Sequence, residues 1–211
     1  VAHCGGSLAG DFIWSVTYTD ILSGWTEGGA VWNKGATGVL TATRQMEARL
    51  PFALLGFDLD NGGEFLNHHL WTYMRERKRA VEFTRSRPYH SDDNAHVEQK
   101  NWTWARQFLG YGRLEDPGLM APISALYREV WAPWQNFFLP SLKLEKKWRE
   151  GSHWHQCYES PQTAYERLCA PGMLPLPARR QLRDRHASLD PFVLKSELEK
   201  KLKQILRPKP Q

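Results

Sequence analysis

Two acidic residues carry the spacing in this sequence that could support chemistry. Asp60 follows the apolar run Phe52–Leu59 in "GFDLDNGGEFLN", residues 56–67, and Glu98, in "DDNAHVEQKN", is separated from it by 37 residues. A run such as 52–59 reads as a buried strand. A carboxylate at its end is costly unless something cationic compensates it. Hard cations such as Mg²⁺ take a few carboxylate oxygens and keep positions open for phosphate and water. Two such ions about 3.5–4 Å apart can stabilise both the attacking and the leaving oxygen of an in-line phosphoryl displacement. The plainer reading is turn chemistry, since Asn61-Gly62 is a strong hairpin signal by itself.

The elements around these acids follow from periodicity. Residues 12–19 ("FIWSVTYT") and 25–32 ("WTEGGAVW") read as two strands joined through the turn "DILSG", an antiparallel hairpin. Helical spacing of Val39, Leu40, Met46 and Leu50 predicts a helix over 36–50, ended by Pro51. The 52–59 strand, a helix over about 67–77 and a short strand at 81–85 come next. A long helix is expected from about 95 to 109, with Asp93 or Asn94 as its N-cap. A further helix over 122–138 is expected to bend at Pro133. Beyond Pro140 the chain is basic and proline-punctuated and ends in an amphipathic helix, "SELEKKLKQIL". This order predicts a mixed α/β domain whose sheet has an antiparallel edge, with one more strand expected ahead of Val1.

Composition narrows the class. Across 211 residues the chain is 41% hydrophobic and holds ten Trp, as a folded globular protein does. Its net charge of +5 is unevenly spread: residues 1–74 hold three Lys/Arg against seven Asp/Glu, and the remainder 25 against 16. An acidic first third followed by a basic remainder suits a carboxylate site beside a polyanion-binding surface, although a solvated charged surface accounts for the charge equally well. Cys4, Cys157 and Cys169 imply no disulfide framework, and a reducing compartment fits them best. No stretch reaches the roughly 18 apolar residues of a membrane span, and no secretory signal is evident.

"DLDNGGEF" followed by "RPYHSDDNAHVEQKNWTWAR", with its Glu-x-x-Asn, resembles the second and third acidic blocks of the DDE transposases and retroviral-type integrases. "TDILSGWTE" (19–27), "LYREVWAPWQNFFLPSLKL" (126–144) and "SPQTAYERL" (160–168) are similar to other pieces of bacterial insertion-sequence members, so the likeness covers most of residues 1 to about 170. The resemblance implies a ribonuclease-H-like catalytic core over 1–140, with a mixed sheet flanked by helices, and a basic, helical C-terminal extension over 141–211. It also implies DNA integration and transposition by metal-dependent strand transfer. Asp60 takes the place of the family's second Asp and Glu98 that of its Glu, and both would ligate Mg²⁺ or Mn²⁺. Asn101 matches the Asn on the same helix. Lys100, Asn101 and Arg106, with Arg77, Lys78 and Arg79 of the basic stretch "RERKRA", are the expected DNA contacts. The partners implied are DNA, as element ends and target, and a second copy of the chain; the place implied is the bacterial cytoplasm, at the nucleoid.

The family's first Asp would fall about two residues before the stretch that "VAHCGG" resembles, ahead of Val1. Asp11 and Asp20 belong to turns and are not expected to replace it. The resemblance therefore implies an incomplete first strand, two of three metal ligands and an inactive isolated chain. The family's upstream helix-turn-helix module is likewise not in this sequence. Two rivals stand beside this reading: a nuclease of the same fold, and a non-catalytic remnant that binds DNA through its basic surface. His153, His155 and Cys157 alternate, so a strand would place them on one face, but a zinc site lacks an evident fourth ligand. The Trp residues read mainly as core.

Overall fold

The computed structural model describes residues 1–59, 68–79, 81–85 and 102–207. The chain is a mixed α/β structure; its described residues form three two-stranded sheets, with helices packed against them. β1 (Ile13–Thr19) and β2 (Thr26–Trp32) form an antiparallel pair in register from Ile13↔Trp32 to Thr19↔Thr26. Their β-branched and aromatic residues fit a pleated, half-buried surface. The turn between them is closed by Asp20, whose carboxylate accepts from the Ser23 amide at 2.7 Å and hydroxyl at 2.6 Å. Gly24 adopts φ 78°, a conformation that suits glycine. Val1–Cys4 lie along the outer side of β1 through an Ala2↔Trp14 bridge and a His3 amide bond to the Ile13 carbonyl.

Helix α1 (Ala36–Glu47) buries Val39, Ala42 and Met46 against Val16 and Val31. It stops three residues earlier than its apolar spacing predicts, because Leu50 belongs to a different cluster, with Trp25 and Phe137. β3 (Gly56–Leu59) and β4 (Glu82–Arg85) pair in parallel, with helix α2 (His68–Arg75) between them in the chain. Parallel strands need such a crossover. Within the apolar run 52–59 the strand begins only at Gly56, paired with Glu82 of β4; Leu55, ahead of it, is largely exposed. Tyr18 of β1 meets Phe57 of β3 edge-on at 5.0 Å and brings the two pairs together.

The described part of α3 comprises a π-helical turn, Trp102–Arg106, and Gln107–Leu109, where Gly110 at φ 69° ends it, as expected for the end of the long helix. A continuous helical stretch, α4, then runs through Met120–Ala125, a π-helical segment Leu126–Trp131 and Ala132–Phe138. Pro133 has no amide hydrogen to donate one turn back, and the wider π spacing just before it accommodates that loss within the helix.

Beyond Pro140, where a basic, helical extension is expected, the chain forms a strand pair ahead of its helices. β5 (Leu144–Glu150) and β6 (His153–Tyr158) form an antiparallel hairpin before α5 (Ala164–Cys169), α6 (Leu176–Ala187) and α7 (Pro191–Ile205). α7 begins at Asp190, whose side chain accepts from the Phe192 and Val193 amides, with Pro191 at its first position. Leu194, Leu198 and Ile205 of α7 share one core with Ile13, Trp104, Tyr127 and Trp131, so the last helix packs onto the first strand pair's side of the molecule. Burying each such side chain contributes about 1.5–3 kcal/mol. No helix among the described residues is long and apolar enough to cross a membrane.

Candidate nucleic-acid interface

β3 positions the site. Its burial alternates, with Phe57 and Leu59 inside and Gly56 and Asp58 outside, and Leu59 is its last described residue. The next residue in sequence is Asp60. Asp60, Glu98, Lys100 and Asn101 all lie outside the described residues, so the structure neither joins nor separates them. Among the described residues, no three or more His, Cys, Asp or Glu side chains gather as a metal-holding group. Asp58 accepts from the Thr84 hydroxyl at 2.7 Å across the β3–β4 pair. Asp11 accepts from the Asn33 side chain at 2.7 Å, and Asp20 holds the β1–β2 turn, so both carboxylates are committed to turns.

The basic stretch after α2 divides by role. Arg77 forms an ion pair with Glu47 of α1 and donates to the Tyr73 hydroxyl at 3.2 Å. Partial burial works to lower the Arg77 pKa, but its bonds to Glu47 and Tyr73 outweigh that and hold it above the ordinary arginine value. Burial, with the Tyr73 hydroxyl's bond to Glu47, raises the tyrosine pKa. Arg77 thus ties α2 to α1. Lys78 and Arg79 are exposed in the turn before β4, beside Arg75, whose guanidinium lies 4.7 Å from the ring of the half-exposed Trp71. These three cations face solvent where a phosphate backbone could reach them. Arg44, His68, His69, Thr72, Tyr73 and Arg77 line an open groove between α1 and α2.

Arg106, expected at DNA, lies at the end of α3, where it donates to the Gly110 carbonyl at 3.4 Å and stacks 4.9 Å from the Tyr111 ring. A basic side chain there complements the helix C-terminus. His153, His155 and Cys157 share a face of β6, as alternation predicts, but do not converge; His155 lies 3.5 Å from Glu150, and Cys157 approaches Glu145 at 3.9 Å.

No family model matches the chain. A Sinorhizobium fredii (strain NBRC 101917 / NGR234) protein named "Uncharacterized protein y4rM" is 38% identical to it over 161 residues, which cover 76% of this chain and 45% of that protein. The chain therefore spans less than half the length of this relative.

Sequence reasoning missed two arginines that organise the surroundings. Arg113 donates to the carbonyls of Cys4, Ser7 and Ala9 at 3.1, 2.9 and 2.7 Å and so fixes the loop that enters β1. Arg167, almost fully buried, bonds Glu159 at 2.6 Å, the Ser141 carbonyl at 2.5 Å and the Ser23 carbonyl at 3.3 Å. It joins α5 to the β1–β2 turn and to the base of the β5–β6 hairpin. The signal available for it was Thr163-x-x-Glu166, a capping box that starts a helix with Arg167 in its first turns. "SPQTAYERL" is therefore an anchoring segment.

Proposed function

We propose that the chain carries the ribonuclease-H-like catalytic core of a DDE transposase or retroviral-type integrase, which integrates DNA by divalent-metal-dependent phosphodiester strand transfer. One observation carries the reading: β3, parallel to β4 and linked to it through α2, leads through buried Leu59, its last described residue, straight into the Asp-Asn-Gly block of the sequence. Open α/β sheets place ligands outside the carboxyl ends of their parallel strands. The antiparallel β1–β2 pair, with Val1–Cys4 beside β1, agrees with a ribonuclease-H-like edge. The commitment of Asp11 and Asp20 to turns agrees with ligands drawn from elsewhere.

Asp60 and Glu98 would hold Mg²⁺ or Mn²⁺, and their carboxylate oxygens are the donors these hard cations take. When bound, the ions would supply charge stabilisation at the phosphoryl group and a polarised water or 3′-hydroxyl. The protein's own part is positioning. Exposed Lys78 and Arg79 would grip phosphates, together with Lys100 and Asn101. Arg77 and Arg106 brace α2 and α3 through their contacts with Glu47 and Gly110, and would meet DNA from those positions. DNA is the substrate, a homo-oligomer would bring two ends together, and the nucleoid is the place of action.

The test is strand transfer by the protein expressed from its full reading frame, on DNA carrying element ends, with Mg²⁺ or Mn²⁺. Joined product is expected, falling at least about a hundredfold in Asp60→Asn and in Glu98→Gln, the scale on which removal of a preorganised charge-stabilising group acts. Cleavage without joining would assign a nuclease instead, and product unaffected by both substitutions would end the proposal.

A further inference from the structure

The β5–β6 hairpin stands apart from every hydrophobic cluster described above. All thirteen residues of its two strands are exposed, seven in β5 and six in β6, and among the described residues it pairs with no further strand. An isolated two-stranded hairpin is marginally stable in water. This one is clamped at its base. Ser141 bridges Gln162, Lys143 donates to the Ile21 carbonyl at 2.6 Å and to that of Leu22, and Arg167 holds Ser141 and Glu159. A ribbon fixed at one end with both faces open is shaped as an arm that meets something outside the chain.

The register sorts its side chains by charge. Trp148 lies opposite His155 and Lys146 opposite Cys157, and this face also carries Glu150 and, through its contact with Cys157, Glu145. The other face pairs Leu144 with Tyr158, Lys147 with Gln156 and Arg149 with Trp154. It holds two cations, two aromatics and no carboxylate. Lys147 lies 4.9 Å from the ring of Trp154, which is 61% exposed, and Arg149 is steadied at the tip by its bond to the Gly151 carbonyl at 2.9 Å.

We infer that this carboxylate-free face is a second DNA-binding surface that lays the ribbon into the major groove of a duplex. Lys147 and Arg149 contact phosphates, while Trp154 and Tyr158 pack against sugars and base edges. A seven-residue strand is roughly 24 Å long, about the rise of seven base pairs. A groove about 12 Å wide admits a two-stranded ribbon. Charge complementarity selects the occupant, because a face of cations and aromatics without a carboxylate matches a polyanion. The inference stands on the ribbon itself and extends the proposed role in DNA chemistry to a surface that uses neither Asp60 nor Glu98.

Anisotropy of a labelled 20-base-pair duplex, titrated with the chain in EDTA at stepped salt, tests it independently of strand transfer. Lys147→Ala with Arg149→Ala should weaken binding about tenfold or more near 0.1 M salt and make the log–log salt slope shallower by about two. Trp154→Ala should weaken binding with the slope unchanged. Lys146→Ala, the same charge change on the opposite face, should cost less than about threefold, since only its long-range field is lost. All four residues are exposed, and thermal melts of each variant confirm that the fold is kept. Equal losses from both faces, no loss from the double variant, or tighter binding to single-stranded than to duplex DNA would overturn the assignment. So would a Trp154→Ala variant that dissociates a self-associated chain while leaving DNA binding intact.

Discussion

His3 shows how one side chain sets a pH limit on the fold. It has no exposed surface, and its Nε2 lies 2.8 Å from the Ser15 hydroxyl, which in turn lies 2.7 Å from the Tyr127 hydroxyl at the centre of the main core. Burial, aided by the Val1 ammonium and Arg106, holds its pKa down at about 4. In the unfolded chain it returns to about 6.5. Between those values the unfolded chain takes up a proton that the folded chain refuses. The stability His3 allows is therefore complete above about pH 6.5 and is lost as the pH falls towards 4. Linkage puts the loss at roughly 3 kcal/mol at the acid end. Urea denaturation from pH 7 to 4 measures it: His3→Gln, which keeps a side chain able to bond Ser15, should flatten this limb relative to the parent, and parallel curves would contradict the account. Nothing in the sequence marked His3, because its significance comes from Ser15 and Tyr127, the latter 124 positions away.

At the scale of elements, close approach decides what the pattern alone does not. Gly28, in the middle of β2, faces Trp104 of α3 and Tyr127 of α4. A Cβ there would lie 2.8 Å from the Trp104 indole nitrogen and 3.3 Å from the Tyr127 ring. Those rings stack 5.9 Å apart and 7° from parallel, so neither can yield without disturbing the other. Gly28→Ala should cost about 1–3 kcal/mol as overpacking, read as a lower urea midpoint at unchanged m-value; a midpoint equal to the parent's would refute the packing claim. The glycines of "WTEGGAVW" thus serve a helix that sequence reasoning placed without knowing where it docked. β1, β2, α2 and β4 were legible because period-two or helical spacing marked them to within about two residues. β3 was read too long because an apolar run records burial and leaves strand pairing open. The β5–β6 hairpin was missed for the opposite reason: with both faces exposed it carries no buried alternation, and only Gly151-Ser152, with Gly151 at φ 61°, signalled a two-residue turn.

For the whole molecule, the chain after Pro140 is tied into the fold of the part before it. α7 completes the core around Trp131, and Arg167 links α5 to the β1–β2 turn. The charge asymmetry of the sequence now has places: exposed Lys78 and Arg79 near β4, and Lys147 and Arg149 on the ribbon, all belonging to the basic remainder. The two acids of the proposed chemistry, Asp60 and Glu98, are legible only as sequence blocks, and that chemistry requires them to share an ion. Mn²⁺ binding, followed by electron paramagnetic resonance on the protein expressed from its full reading frame, tests that through a double-mutant cycle. Asp60→Asn and Glu98→Gln should each weaken the binding at least about tenfold, and the double variant should be little worse than either alone, because one lost ligand already empties the site. Losses that simply add, or Mn²⁺ binding indifferent to both residues, would contradict a common metal site and the strand-transfer chemistry built on it.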